Sequence, residues 1–323
     1  MALDLSKFGL RQDNLPDTFS GYVPGRVVII DGDAACYKVT QKCAKLKTAQ
    51  QRFTTAIYEI MFLTKAERAR VHLTPKGCFK NGRHLLLGAK PYQANRVGTP
   101  KPPQLEMLRS TAPSLFSNHD KVEVFAHFDI EADDAVMMDA YAESNAIVWS
   151  EDKDLNIVPC AKYDIGTGII DRLDAGDRFG WIKLNREGSS PKIVGHGTKF
   201  FWAQMLYGDT ADNVRGLESL DGKPCGAVAA HRETEHIVSE PHMANFVINQ
   251  YRELDQNPLP EAEALWLLRC RGDSAIGYIW SLELTERNKA FILDCYNRPY
   301  KLTQEEYNER QQIECEDSSG EED

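Results

Sequence analysis

The segment Val122-Glu123-Val124-Phe125-Ala126-His127-Phe128-Asp129-Ile130-Glu131-Ala132-Asp133-Asp134-Ala135-Val136 begins as an apolar run and ends with three carboxylates within four residues. Val122–His127 has the composition of a strand, and Ala132 to Ser144 that of a helix. Glu131, Asp133 and Asp134 therefore stand at a strand-to-helix junction. Carboxylates this close repel one another unless a cation joins them. The junction thus predicts a bound metal, and the neighbouring elements tell which other residues reach it.

Upstream, Arg26-Val27-Val28-Ile29-Ile30 predicts a buried strand ending at Asp31-Gly32-Asp33. Residues 34–66 are helix-compatible, with Ile57, Ile60, Met61 and Leu63 as the buried face. Arg70–Thr74 predicts a second strand, and 104–117 a return helix. Downstream, Ala146-Ile147-Val148-Trp149 predicts a fourth strand, ending at Ser150-Glu151-Asp152-Lys153-Asp154-Leu155. Strands alternating with helices predict an α/β fold with a mostly parallel central sheet flanked by helices. In such sheets chemistry collects beyond the carboxyl ends of the strands. Asp31, the Glu131/Asp133/Asp134 group and Asp152/Asp154 should then meet along one edge. A helix over Lys199–Tyr207 delivers a fourth acidic place, Asp209 and Asp212, one helical turn apart. Oxygen donors without His or Cys suit Mg²⁺, with Mn²⁺ as the alternative, rather than Zn²⁺. Two such ions can activate water and hold a phosphodiester.

The chain has 323 residues, 42% of them hydrophobic, enough for one large or two small domains. No apolar run reaches membrane-spanning length and Met1–Leu10 lacks the shape of a signal peptide, so no membrane contact is expected. Eight cysteines without a Cys-x-x-Cys pair predict neither a zinc ribbon nor a disulfide framework, and a cytoplasmic location. The net charge of −10 is unevenly spread. Lys38–Lys101 carries fourteen Lys and Arg against two Glu, a net +12, so the remainder carries −22, with six acids in Glu314–Asp323. Within the basic part, Pro75–Pro103 is long and rich in Gly and Pro, the composition of a functional loop. This split fits a polyanion on one surface and cations on another. The expected organisation is a lead-in at 1–25, a metal-dependent core at 26–198 with its basic insert at about 75–103, a helical region at 199–312, and an acidic, disordered tail at 313–323. Residues 160–198 give no clear element.

In this arrangement the chain resembles the 5′-nucleases: flap endonucleases, the 5′-nuclease domain of bacterial DNA polymerase I, and 5′→3′ exonucleases of phages, above all those of short-tailed lytic phages. Ile30-Asp31-Gly32 matches the family's opening strand. Glu131-Ala132-Asp133-Asp134 matches its Glu-x-Asp-Asp, and Asp152-Lys153-Asp154-Leu155 its Asp-Lys-Asp-Leu. Gly208 through Gly216 matches Gly-Asp-x-x-Asp-Asn-hydrophobic-x-Gly. Tyr92-Gln93-Ala94-Asn95-Arg96 echoes Tyr-Lys-x-x-Arg of the basic arch. The resemblance implies a PIN-like core, a helical arch rising from the basic insert, and a helix–three-turn–helix element after Asp212 that grips duplex DNA. It implies one metal site among Asp31, Glu131, Asp133 and Asp134 and a second among Asp152, Asp154, Asp209 and Asp212. Lys90 and Arg96 would act on the scissile phosphate, and Arg83, Tyr92, Gln93 and Lys223 would contact DNA. Three places depart from the family pattern. Thr74-Pro75-Lys76 lacks the Asp usual after the second strand, Gln93 replaces the arch lysine, and Ser219-Leu220-Asp221 replaces Gly-hydrophobic-Gly.

The resulting expectation is a Mg²⁺-dependent 5′→3′ exonuclease or flap endonuclease with two ions. Its substrates would be double-stranded and 5′-flap DNA, with RNA–DNA hybrids also fitting the family. It would serve phage replication, recombination or host DNA breakdown, in the host cytoplasm and beside replication proteins. Two rivals stand against it. A haloacid-dehalogenase-type phosphatase would use Asp31-x-Asp33, but leaves the other acids and the basic segment without a role. A catalytically weakened DNA-binding relative would bind without cutting. Phe200, Phe201 and Trp202 are expected in the core, and His127 in a structural role.

Overall fold

In this computed structural model, residues 21–174 and 176–319 are described. Residues 1–20 of the lead-in expected at 1–25, and residues 320–323 of the acidic tail, lie outside them. The apolar run beginning at Val27 becomes the centre of strand β1 (Val23–Asp31), whose last five residues are buried. Its register aligns Ile29 with Arg70 of β2 (Ala66–Leu73) on one side and with Val148 of β4 (Ala146–Trp149) on the other, both parallel. Outside β2 runs β3 (Val122–Ala126), parallel and at the sheet edge. Beyond β4 lie β5 (Ala161–Tyr163), parallel, and β6 (Ile170–Asp171), antiparallel. The order is β3-β2-β1-β4-β5-β6. A separate antiparallel hairpin pairs β7 (Trp181–Asn185) with β8 (Lys192–His196). The stretch 160–198, unread in sequence, therefore holds four short strands, whose length gives periodicity little to show.

The helical stretch 34–66 is two helices, α1 (Gly32–Thr40) and α2 (Leu46–Thr64). Asp31 caps α1 by accepting from the Ala34 N–H at 3.0 Å. Gly32 makes the corner possible: a Cβ there would meet the His72 carbonyl at 2.5 Å. Helices α3 (Leu105–Leu115) and α4 (Ala132–Ala142) precede β3 and β4. On one face of the sheet, Val28 and Ile30 pack with Phe53, Ile57 and Leu108. On the other, Val27 and Ile29 join a larger core continuous with α5 (Thr198–Tyr207) and the helices after it. These are α6 (Ala227–Thr234), α7 (Glu240–Glu253), α8 (Leu259–Leu265), α9 (Ala275–Trp280) and α10 (Glu286–Asn297). The helical region from Phe200 to Cys295 thus shares a core with the sheet. Phe200, Phe201 and Trp202 are fully buried in it. Helix α11 (Gln304–Ser319) extends into the segment expected to be unstructured. No helix among the described residues is long and apolar enough to cross a membrane.

The basic insert differs from the helical arch expected of it. Between β2 and α3 there are only two short 3-10 turns, Lys80–Leu85, which is kinked by left-handed Asn81 and Gly82, and Ala94–Arg96. The density of Gly and Pro that marked this segment as a loop also keeps it from forming α-helix. It lies down on the carboxyl edge of the sheet.

Candidate metal centre

Parallel register brings the acidic residues together. Asp31 ends β1, Glu131 is the N-cap of α4, and Asp152 and Asp154 follow β4. Asp31 accepts from the Ser150 hydroxyl at 2.7 Å, and Ser150 Oγ accepts from the Asp152 N–H at 2.8 Å. Asp154 donates its N–H to Asp152 Oδ1 at 2.9 Å, and its own Oδ1 accepts from Gln204 of α5 at 2.7 Å.

The loop after α5 carries Asp209 and Asp212, and its two glycines close it. Gly208 and Gly216 have φ of +74° and +73°. A Cβ on Gly208 would sit 2.3 Å from the Arg215 carbonyl, and one on Gly216 2.5 Å from the Gly208 nitrogen. Asp209 and Val214 exchange backbone hydrogen bonds at 2.8 and 2.7 Å across the loop. The Gly-Asp-x-x-Asp-Asn pattern is thus a closed turn that aims both acids at Asp154. Ligand oxygens of Asp154, Asp209 and Asp212 all lie within 4.8 Å of one another, as no other trio does among the described residues. Asp209 Oδ2 is buried without a hydrogen-bond partner. An orphaned carboxylate oxygen inside a trio of oxygen donors fits a hard cation.

The second group is Asp31, Asp133, Asp152 and Glu131. Burial, then Asp33 alongside, pushes the Asp31 carboxyl up to about 7. Burial, then Asp31 and Asp152, drives Asp133 well above the carboxylate range. Burial, then Asp152 and Asp209, does the same to Asp154. Burial also raises Asp212, against the pull of Arg96. Glu131 goes the other way: burial works upward on it, but Arg83 and Lys80 outweigh that and hold it low. The edge is therefore short of positive charge, as a metal-binding edge is.

The covering segment supplies part of that charge. Lys80 Nζ of that segment lies 3.1 Å from Glu131 Oε1, and Lys153 Nζ, from the loop after β4, lies 2.6 Å from Asp209 Oδ1. Arg96 pairs with Asp212 and donates from Nε to the Ala211 carbonyl at 3.1 Å. The Tyr92 hydroxyl donates to Glu131 at 2.9 Å and lies 3.3 Å from Asp212. Gln93 donates to Asp212 at 2.9 Å and pairs with Lys80. Residues 91–96 are tied to the 210–213 loop through Gln93 N–H to Asp212 O and Asn213 to the Pro91 carbonyl. Tyr92, Gln93 and Arg96 thus stand between the two carboxylate groups. Lys90 is exposed beside them.

Two expected roles are corrected. Asp134 was placed among the metal ligands, but it is fully buried and both its oxygens accept from Arg83 at 2.7 Å. It also accepts from Leu268 N–H at 3.1 Å and from the Glu131 N–H, closing a capping box on α4. Arg83 was expected to contact DNA, but it is buried and also donates to the Trp266 carbonyl at 2.7 Å and to Glu131 at 3.2 Å. Spacing could not separate Asp133 from Asp134, because only the packing of 266–268 against α4 does so.

Where the family carries an extra Asp, Thr74 Oγ1 accepts from the Ala132 N–H at 2.8 Å, and the Thr74 N–H donates to Asp33 at 3.2 Å. Asp33 is paired with Arg109 at 2.9 Å. Lys223 is exposed on the turn before α6, where Leu220 and Lys223 exchange backbone bonds around left-handed Asp221 and Gly222. His127 bonds to His72 at 3.0 Å, which bonds to Asp139 at 3.1 Å, and none of the three belongs to the Asp154, Asp209 and Asp212 trio. Sequence reasoning missed Lys162. It donates to the Asp152 carbonyl at 2.9 Å and to Asn156 at 2.6 Å. Burial lowers it to about 8 although Asp152 and Asp154 pull it up.

No family model matches the chain, and no curated protein matches it. Solved structures do match. A 5′-exonuclease of bacteriophage T5 with bound divalent zinc has 14% identity and a TM-score of 0.51, over 84% of this chain and 98% of that one. The same phage's flap endonuclease, in a pseudo-enzyme–product complex with DNA and metal ions, has 15% identity and a TM-score of 0.50 over the same shares, 84% and 98%. At this identity the likeness is one of fold: a mixed α/β chain with a mostly parallel six-stranded sheet, as expected.

Proposed function

We propose that this protein is a Mg²⁺-dependent 5′-nuclease that hydrolyses phosphodiesters in duplex and 5′-flap DNA. One observation carries the reading: carboxylates from four separate parts of the chain meet on one sheet edge, under a basic segment that touches them. Asp154, Asp209 and Asp212 would hold one ion, and Asp31, Asp133, Asp152 and Glu131 the other. When bound, the ions would supply an activated water and charge neutralisation of the phosphodiester. The chain's own residues orient the donors: Ser150 and Ala34 fix Asp31, Gln204 fixes Asp154, and the glycine-closed loop fixes Asp209 and Asp212. Lys80, Arg96 and Lys153 occupy the carboxylates from the substrate side and would turn to phosphate oxygens when DNA arrives. Lys90 and Lys223, both exposed, add sequence-independent phosphate contacts. RNA–DNA hybrids, replication proteins as partners, and action in phage replication in the host cytoplasm remain part of this proposal. The phosphatase alternative fares worse, since Asp33 is tied to Arg109 and Thr74.

The test is incubation of the full chain with a 5′-labelled flap, a blunt 5′-labelled duplex and a small phosphomonoester, each with Mg²⁺ or chelator. Metal-dependent release of short 5′ products from either DNA is the expected result. Phosphate release from the monoester with intact DNA would overturn it.

A further inference from the structure

Beside the carboxylate edge lies a cavity of about 540 Å³, within the roughly 300–1,000 Å³ of pockets that enclose small ligands. It is lined by Asp152 and Lys162 on the metal side, by Asp164, and by Trp181, Asn185 and His196 of the β7–β8 hairpin. This hairpin has no part in the carboxylate cluster. Its geometry is nevertheless closely set: a Cβ on Gly195 would meet the Trp181 backbone carbonyl at 2.5 Å, so a glycine there lets the two strands approach. Trp181 is partly buried, with the Lys183 ammonium 4.8 Å from its ring centroid. The other large rings nearby behave differently. Trp202 and Trp266 are fully buried, and each donates its indole N–H, to Tyr278 and Asp273. His196 is 1% exposed, and its Nδ1 has no hydrogen-bond partner although Asp171 stands 3.4 Å away. Its Nε2–H donates to the Val158 carbonyl at 3.0 Å, so Nδ1 presents a lone pair. Lys162 makes two hydrogen bonds and has one proton left.

We propose that this cavity receives one nucleobase of the substrate strand, next to the scissile phosphate, stacked on Trp181. The inference rests on the nuclease reading above and adds a base subsite to it. The chemistry of the walls selects a base over a phosphate. Asp152, Asp164 and Asp171 face the space and repel anions, while they accept from exocyclic amino groups. Lys162 and Asn185 offer donors to ring nitrogens and carbonyls. An aromatic platform with mixed polar edges binds bases with little sequence preference. A base held here would fix the strand at the metal edge and set which phosphodiester is cut.

The experiment uses the full chain, flap DNA in Ca²⁺, and 2-aminopurine placed in turn at each position around the cut. One position within two nucleotides of the cleaved bond should lose fluorescence several-fold on binding. Trp181→Ala should restore that signal and weaken binding about tenfold, whereas Trp181→Phe should keep most of both. An abasic nucleotide at the same position should erase the Trp181→Ala penalty. Quenching unchanged in a folded Trp181→Ala, or an equal penalty on every abasic substrate, would overturn the proposal. Cleavage by the parental chain in Mg²⁺ is scored in parallel. Cutting without position-specific quenching removes the base subsite alone; quenching without any cutting removes the nuclease reading and leaves the subsite.

Discussion

Asp133 and Asp134 are adjacent, yet they should respond to substitution in opposite ways. Asp134 is 0% exposed, and Arg83 meets both its oxygens at 2.7 Å. Asp134→Leu leaves the Arg83 guanidinium buried with only Glu131 at 3.2 Å and the Trp266 carbonyl for company. Arg83→Met leaves the Asp134 carboxylate with little beyond the Leu268 and Glu131 N–H groups. Stranding either charge should cost about 3–5 kcal/mol. The double replacement removes the desolvation of both charges at once, so most of that loss should return, a coupling of at least about 2 kcal/mol. Asp133, by contrast, is crowded by Asp31, Asp152, Glu131 and Asp33. Asp133→Asn should leave the metal-free fold as stable as the parent or more so, while cleavage in Mg²⁺ drops below detection. Urea denaturation in chelator gives the stabilities, and calorimetric titration with Mg²⁺ gives the number of ions bound. The reasoning fails if Asp134→Leu lies within about 0.5 kcal/mol of the parent, or if it loses an ion that Asp133→Asn retains.

Three further outcomes follow from the same contacts. Gly216→Ala forces a left-handed Cβ to within 2.5 Å of the Gly208 nitrogen, and should displace Asp209 and Asp212 together; Mg²⁺ affinity should fall at least about tenfold while far-UV circular dichroism is preserved. Glu261 is buried against the Ala89 N–H at 3.1 Å, and burial lifts its carboxyl from 4.5 to about 7. A raised folded-state pKa means stability present at low pH and lost as pH rises through about 7, so Glu261→Gln should exceed the parent by about 3 kcal/mol at pH 8 and by under about 1 kcal/mol at pH 5, read from denaturation curves. Finally, chelation should abolish cleavage without unfolding, because the core on both faces of the sheet closes without metal; Mg²⁺ at about 100 times its dissociation constant should then add about 2.7 kcal/mol of stability, and a melting temperature unchanged by saturating Mg²⁺ would contradict the metal centre.

Much of the fold was legible because its signals are local. Val27–Ile30 and Ala146–Trp149 read as buried strands from four consecutive apolar residues, and a parallel sheet obliges their acidic tips to share an edge. The glycines bracketing Asp209 and Asp212 were legible too, since a left-handed backbone leaves its mark in the residue type. The short strands from Ala161 to His196 left no comparable mark, and with them the cavity under Trp181 and the position of Lys162 went unread. What the sequence determined by itself was that the main parallel strands form and that their acidic tips gather at one edge. Only the tertiary structure decided what each carboxylate does there. Asp133 faces other acids and Asp134 faces Arg83, which comes from a loop about fifty residues away and is sealed in by the 266–268 segment. A side chain's partner across such distances is set by packing, and neither spacing nor composition encodes it.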